Sequence, residues 1–188
     1  PDGYIYVIGL TSSYGAGATD LVLIKYNLDG IKIWNITWGG SAIDRGTNLC
    51  FDSNGNIYIV GSTDSYGNGA SDALIMKVYS DGTIAWNTTW GGTDIDYGKD
   101  IMIGPDNALY VCGWTASYSL GVYDAFILKY TLDGTKIWNI TWGGVKTDGA
   151  NSLTMDNSGG MYLTGFSASY GVFDTINIMV LKFNSNGN

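Results

Sequence analysis

The sequence predicts an all-β chain organised as a β-propeller of four-stranded antiparallel blades. Three observations carry that expectation: a repeat of 52 residues, four strand-like runs in each repeat, and a composition weighted toward turn and aromatic residues. Trp38-Gly39-Gly40 returns as Trp90-Gly91-Gly92 and Trp142-Gly143-Gly144. Tyr6, Tyr58, Tyr110 and Tyr162 keep the same interval, as do Gly9, Gly61, Gly113 and Gly165. Lys25, Lys77 and Lys129 follow it, and Lys182 arrives one residue late, which places a single insertion between Tyr170 and Lys182. Four short strands repeated every 40–55 residues are the signature of propeller blades. A β-sandwich has no reason to repeat every fourth strand in sequence.

Each element follows from local chemistry. In one full copy, Thr47 to Phe51 reads as a short strand entered from a Gly-rich loop. Asp52-Ser53-Asn54-Gly55-Asn56 turns the chain, and Ile57 to Gly61 runs apolar on both faces, as a buried strand does. A polar loop, Ser62 to Ser71, leads to a third strand from Ala73 to Tyr79. Ser80-Asp81-Gly82 supplies the tight turn into a fourth, Ile84 to Trp90. Applied to the whole chain, the pattern gives one propeller segment over residues 1–188, with blades at 41–92 and 93–144 and partial blades at 1–40 and 145–188. The expectation is a segment of a larger propeller whose open ends expose unpaired edges.

Composition narrows the chemistry. All 17 acidic residues are Asp, and the chain has no Glu, Gln or His, so helix formers are scarce and turn formers plentiful. Without His there is no Ser-His-Asp triad, no imidazole metal site and no imidazole pH switch. A net charge of −8 argues against nucleic acid and anionic membranes as partners, and no run of 18 apolar residues suggests membrane insertion. Cys50 and Cys112 lack metal-ligand spacing and read as small buried hydrophobes, a disulfide being the lesser alternative. Asp52-x-Asn54-x-Asn56 has the look of a calcium loop but lacks the Gly and the acidic residue an EF-hand needs, so it reads as a hairpin turn. No cofactor, no metal site and no catalytic residue is expected.

The run Asp-Gly-x-x-x-Trp-Asn-x-Thr-Trp-Gly-Gly, followed by Asn-Gly-Asn-Ile-Tyr-Ile-Val-Gly-Ser-Thr, resembles the prokaryotic β-propeller repeat called SBBP. The resemblance covers essentially the whole chain. It implies a propeller, commonly of seven blades, in large surface or secreted proteins of archaeal type, and it implies no defined activity, since propellers host enzymes, adhesins and scaffolds alike.

The recurring residues fall into groups. Trp34 and Trp38, with their counterparts Trp86 and Trp90, and Trp138 and Trp142, alternate onto one face of the fourth strand and read as packing between blades rather than as sugar platforms. Lys25, Lys77, Lys129 and Lys182, set among apolar neighbours, need an anion or an escape to water; Asp44, Asp96 and Asp148, just past Trp-Gly-Gly, are expected to form structural ion pairs with them. The longer loops carry Tyr14, Tyr66, Tyr118 and Tyr170 and Asp20, Asp72 and Asp124, the place where a protein or a glycan would bind, with the equal alternative that the tyrosines simply pack the loops down. Asn35, Asn87 and Asn139 each begin an Asn-x-Thr sequon at the same phase, candidates for N-glycosylation on an outermost strand.

The resulting expectation is an extracellular or cell-surface binding or structural module with no catalytic activity of its own, completed by neighbouring blades or chains. Two alternatives stand beside it: a repeat unit of a surface-layer or filament-like assembly, and the propeller of a secreted carbohydrate-active enzyme using loop aspartates as acids.

Overall fold

A computed structural model of the chain describes residues 3–156, 158–172, 175–184 and 186–188. These residues form strands, turns and loops, with no helix among them. The first sheet holds β1 (Ile5–Thr11), β2 (Asp20–Tyr26) and β3 (Lys32–Trp38). The second holds β4 (Asp44–Phe51), β5 (Ile57–Thr63), β6 (Asp72–Val78) and β7 (Ile84–Trp90). The third holds β8 (Asp96–Ile103), β9 (Leu109–Thr115), β10 (Asp124–Tyr130) and β11 (Lys136–Trp142). The last holds β12 (Asp148–Met155), β13 (Met161–Ser167) and β14 (Asn177–Phe183). Every ladder is antiparallel and joins sequence neighbours, giving the simple meander of a propeller blade. Phe173 and Asp174, within the stretch where the spacing places an insertion, lie outside the described residues.

The first strand of each complete blade is longer than the sequence suggests. β4 begins at Asp44 rather than Thr47 because Asp44 N–H donates to Thr19 O of the preceding sheet (2.7 Å), and a bulge between Gly46 and Asn48 carries the ladder through the glycine. β8 and β12 repeat both features, so this bulged strand is built to couple blades. Thr47 Oγ1 donates to Gly98 O (2.9 Å), Asn48 Nδ2 donates to Asp100 Oδ1 (2.7 Å), and Ser152 Oγ donates to Asp100 Oδ2 (2.7 Å). The inner strands β4, β8 and β12 are thereby tied in a row, while β3, β7 and β11 form outer edges.

Apolar side chains are buried between sheets. Leu21 and Leu23 of the first sheet meet Ile57, Ile59, Leu74 and Met76 of the second. Tyr58, Val60, Ile75 and Trp90 meet Leu109, Val111, Phe126 and Leu128 of the third. Tyr110, Cys112 and Ile127 meet Leu153, Met161, Leu163 and Met179 of the last. β5 is buried along its whole length, as its double-sided apolar pattern requires. At each junction the earlier sheet thus offers a Tyr- and Trp-bearing face and the later sheet a mainly aliphatic one, to which Phe126 and Tyr130 add aromatic rings in the third sheet.

The tight turns join this packing. Gly82 and Gly134 have φ of +92° and +90°, which an L side chain rarely adopts, and each lies against the indole of the preceding blade, Trp34 and Trp86 respectively. A Cβ on Gly134 would sit 3.0 Å from Trp86, whereas Gly30, with φ +77°, has open space around it. Gly30→Ala is expected to cost about 1 kcal/mol from backbone strain alone, and Gly134→Ala about 1–2 kcal/mol more as the indole is displaced. Urea unfolding of the two variants checks this, and equal losses would contradict the packing role of Gly134.

Candidate functional site

The rim of long loops is where the sequence places recognition, and the structure gives its tyrosines a different task. The rings of Tyr66, Tyr118 and Tyr170 lie 5.2, 5.1 and 5.0 Å from those of Trp38, Trp90 and Trp142. Their hydroxyls donate to the carbonyls of Gly39 (3.3 Å), Gly91 (2.9 Å) and Gly143 (3.3 Å). Each Tyr therefore clasps the Trp-Gly-Gly corner of the blade before it. Tyr14 occupies the same phase in the first sheet, and there it is 77% exposed. Beside it a hollow of about 390 Å³ is lined by Thr11, Val22, Ile24, Tyr26, Asn35 and Thr37, among others.

The lysines do not pair with the post-Gly aspartates. Lys25, Lys77, Lys129 and Lys182 are cross-strand neighbours of Tyr6, Tyr58, Tyr110 and Tyr162, and each ammonium lies 5.0–5.1 Å from that ring's centre. Lys129 also forms an ion pair with Asp106 (2.7 Å), in the turn of its own blade. The expected ion pairs with Asp44, Asp96 and Asp148 fail for a geometric reason. Lys25 lies near the tight-turn end of β2, while Asp44 bonds to Thr19 at the other end, about 20 Å away at the rise of a strand.

Asp44, Asp96 and Asp148 are instead fully buried among hydroxyls and amides. Asp44 Oδ2 accepts from Gly40 N–H (2.8 Å) and Ser65 Oγ–H (2.7 Å), and Thr63 Oγ–H donates to Oδ1. Asp96 repeats this with Gly92, Ser117 and Thr115. Asp148 accepts from Gly144 N–H (2.9 Å), Ser169 Oγ–H and Ser169 N–H (3.3 Å). Burial pulls Asp148 upward, but the donors from Ser167, Ser169 and Gly144 outweigh it and hold the carboxyl below its ordinary range. These serines and threonines were not picked out in the sequence, although Thr63 and Thr115, and Ser65, Ser117 and Ser169, keep the 52-residue interval.

The rim aspartates Asp20, Asp72 and Asp124 are 1–2% exposed, each accepting one loop amide on Oδ2: Gly17 (3.4 Å), Asn68 (2.7 Å) and Leu120 (3.0 Å). Burial, together with the neighbouring Asp96 and Asp148, pushes Asp72 and Asp124 above the ordinary carboxylate range despite those amides. Asn35, Asn87 and Asn139 are exposed on the outer strands β3, β7 and β11. Cys50 and Cys112 are free thiols in neighbouring blades; burial first, then Asp100, raises both, Cys50 to about 12. Asp52 accepts from Asn54 N–H, Asn56 N–H and Asn56 Nδ2–H at 2.7–2.9 Å, so its carboxylate is spent on the hairpin turn.

A β-propeller family described as a domain of unknown function (DUF5122) matches residues 1–30, 53–84 and 104–136, half of the chain. The chain belongs to this β-propeller family. The SBBP β-propeller repeat matches residues 36–68. Regulatory protein FlaEY of Caulobacter vibrioides is 27% identical over 125 residues, which cover 58% of this chain and 13% of that protein. Among solved structures, the chain resembles the gluconolactonase XC5397 of Xanthomonas campestris, with a TM-score of 0.52 and 15% identity over 89% of this chain and 56% of that one. BamB of Moraxella catarrhalis is 15% identical with a TM-score of 0.45, covering 97% of this chain and 41% of that one. The gluconolactonase corrects the expectation that the chain is not an enzyme. An enzyme is built on this architecture, and loops over a shared scaffold can supply chemistry that a missing His does not forbid. At 15% identity the likeness extends to the fold and no further.

The Lys129–Asp106 pair gives a pH test. Burial raises Asp106, but Lys129 and the Tyr110 hydroxyl prevail and hold it below the ordinary value of 3.8. A depressed folded-state value adds stability above the unfolded value and loses it as pH falls through the folded one. Because the pair is partly exposed, Asp106→Asn should cost no more than about 1 kcal/mol at pH 7. The gap between wild type and variant should narrow as the pH falls below 3.8 in urea titrations; a gap that stays constant through the acid range would contradict the assignment.

Proposed function

We propose that this chain is a binding or structural propeller module of a cell-surface or secreted protein, which works by docking further propeller blades onto its first sheet. Tyr14 carries the reading: three tyrosines at its phase clasp a Trp-Gly-Gly corner, and Tyr14 stands exposed without one. The sheet face beside it belongs to the same kind of junction. Ile5 and Val7, 45% and 48% exposed, correspond to Ile57 and Ile59, which are fully buried against the preceding blade. The occupant that fits is a Trp-bearing blade, from the same polypeptide or from another. At the opposite end Ile178 and Val180 are exposed on β14. A head-to-tail joint between unlike ends propagates unless it closes into a ring, which favours a surface-layer or filament-like assembly as the second reading.

A photo-crosslinking amino acid at Tyr14, irradiated in native surface extracts, should capture a peptide bearing a Trp-Gly-Gly repeat corner. An adduct with a glycan or with a chain lacking propeller repeats would refute the docking. Ile5→Asp with Val7→Asp should abolish the adduct while leaving the melting temperature of the isolated chain unchanged.

The surface location is supported by the sequons. Asn35, Asn87 and Asn139 point to solvent from the outer strand of three successive sheets, open to a glycosyltransferase. A glycan there would also shield an outer edge from pairing with other chains. Glycopeptide mass spectrometry of native material should find all three occupied. Three unmodified asparagines would remove this support for an extracellular location.

A further inference from the structure

The two sets of aspartates that the sequence keeps apart meet at the blade junctions. Asp20 at the start of β2 and Asp44 at the start of β4 both reach the space over Gly39, where a Cβ would run into Asp20 Oδ1 and lie 2.6 Å from Asp44 Oδ2. Gly91 is flanked in the same way by Asp72 Oδ1 and, 2.5 Å from a Cβ, Asp96 Oδ2. Asp124 Oδ1 fills the corresponding space at Gly143, and Asp148 accepts from the next amide, Gly144. Only glycine leaves room for two carboxylates there.

Among the described residues, the groups that hydrogen-bond these carboxylates are neutral amides and hydroxyls. All six carboxylates belong to residues 0–2% exposed. Asp44 and Asp96 accept three donors each and Asp148 is likewise held by its donors, an arrangement that stabilises the anion. Facing them, Asp20 Oδ1 and Asp124 Oδ1 are buried and have no hydrogen-bond partner among the described residues. Arg45, next to Asp44 in sequence, directs its guanidinium to Asp64 (3.5 Å) and the Tyr97 ring. A buried carboxylate oxygen without a donor, set against a second carboxylate, needs a positive charge. A proton shared between the pair would demand a near-linear bond from one carboxyl to an Oδ2 that already accepts an amide and a hydroxyl in the first two junctions, whereas a hard cation is held by charge in a flexible geometry and tolerates an oxygen that also accepts hydrogen bonds. A metal cation attracts both oxygens without that directional demand.

We propose that the junctions Asp20/Asp44, Asp72/Asp96 and Asp124/Asp148 each hold one hard, oxygen-coordinated divalent cation of the calcium class. The Oδ1 of the first Asp and the Oδ2 of the second are its carboxylate ligands, and water and backbone carbonyls complete the shell. This departs from the sequence reading, which assigned no metal: the ligands of one ion lie 24 residues apart, on successive blades, with no local motif. The ion would lock each blade to the next at the loop rim, opposite the Trp–Gly contacts that lock the tight-turn rim.

Thermal unfolding of the purified chain in EDTA and in calcium chloride tests the site, with magnesium chloride as comparison. Calcium should raise the melting temperature by about 5 °C or more and saturate. Isothermal titration should give a stoichiometry of up to three ions. The variant Asp20→Asn/Asp72→Asn/Asp124→Asn, which removes one charge from each pair, should fold without calcium and lose the response. Asp81→Asn, in a turn of the other rim, should keep it. No calcium heat together with an unchanged melting temperature would overturn the proposal, as would a triple variant that still responds. Should melting ignore calcium but rise as pH falls toward 5, the pairs share a proton and the cation site is wrong.

Discussion

Two indoles of one blade hold the next at both rims, and the rest of the structure depends on that contact. The first Trp of each pair lies on the glycine of the following blade's tight turn; the second lies under the tyrosine of its long loop. A four-stranded sheet cannot cover its own faces, so its stability comes from the neighbour. With large aromatic surfaces at both ends of the contact and aliphatic side chains between them, the sheets are fixed in angle as well as distance. Even the lysines obey this arrangement, lying over a cross-strand tyrosine on the face that meets the next blade.

The same contact explains why residues that look like recognition elements are mostly structural. A rim of tyrosines and aspartates on long loops has the chemistry of a binding surface. Here the hydroxyls of Tyr66, Tyr118 and Tyr170 are used on backbone carbonyls, and the aspartates are buried where blades meet. What stays available is the face of the first sheet around Tyr14, the outer strands with their asparagines, and the exposed end at β14. These exposed faces and the loops are the surfaces this scaffold offers to other molecules.

Much of the fold was legible because each duplicated blade shows the same local chemistry at the same interval. The strand-turn pattern of Ile57 to Trp90 needs only alternation and Asp/Asn-Gly turns, both local properties. The candidate site was less legible. Lys77 and Asp96 recur with equal regularity, and a Lys among apolar neighbours needs an anion, so pairing between blades is the natural reading; the register puts them at opposite rims of neighbouring blades. The bulge at Gly46, which lets β4 begin at Asp44, depends on a bond to Thr19 in another sheet and leaves no local trace.

The sequence by itself determined the repeat, the order and type of the strands, the division into a tight-turn rim and a long-loop rim, and the face on which the tryptophans lie. All of these follow from side-chain alternation and turn preferences within a few residues. Tertiary structure alone decided which face of one blade meets which face of the next, and with it the partners of Tyr66, Lys77, Asp72 and Asp96. Those pairings join residues on different strands or different sheets, and their distances are set by how twisted sheets stack rather than by any interval along the chain.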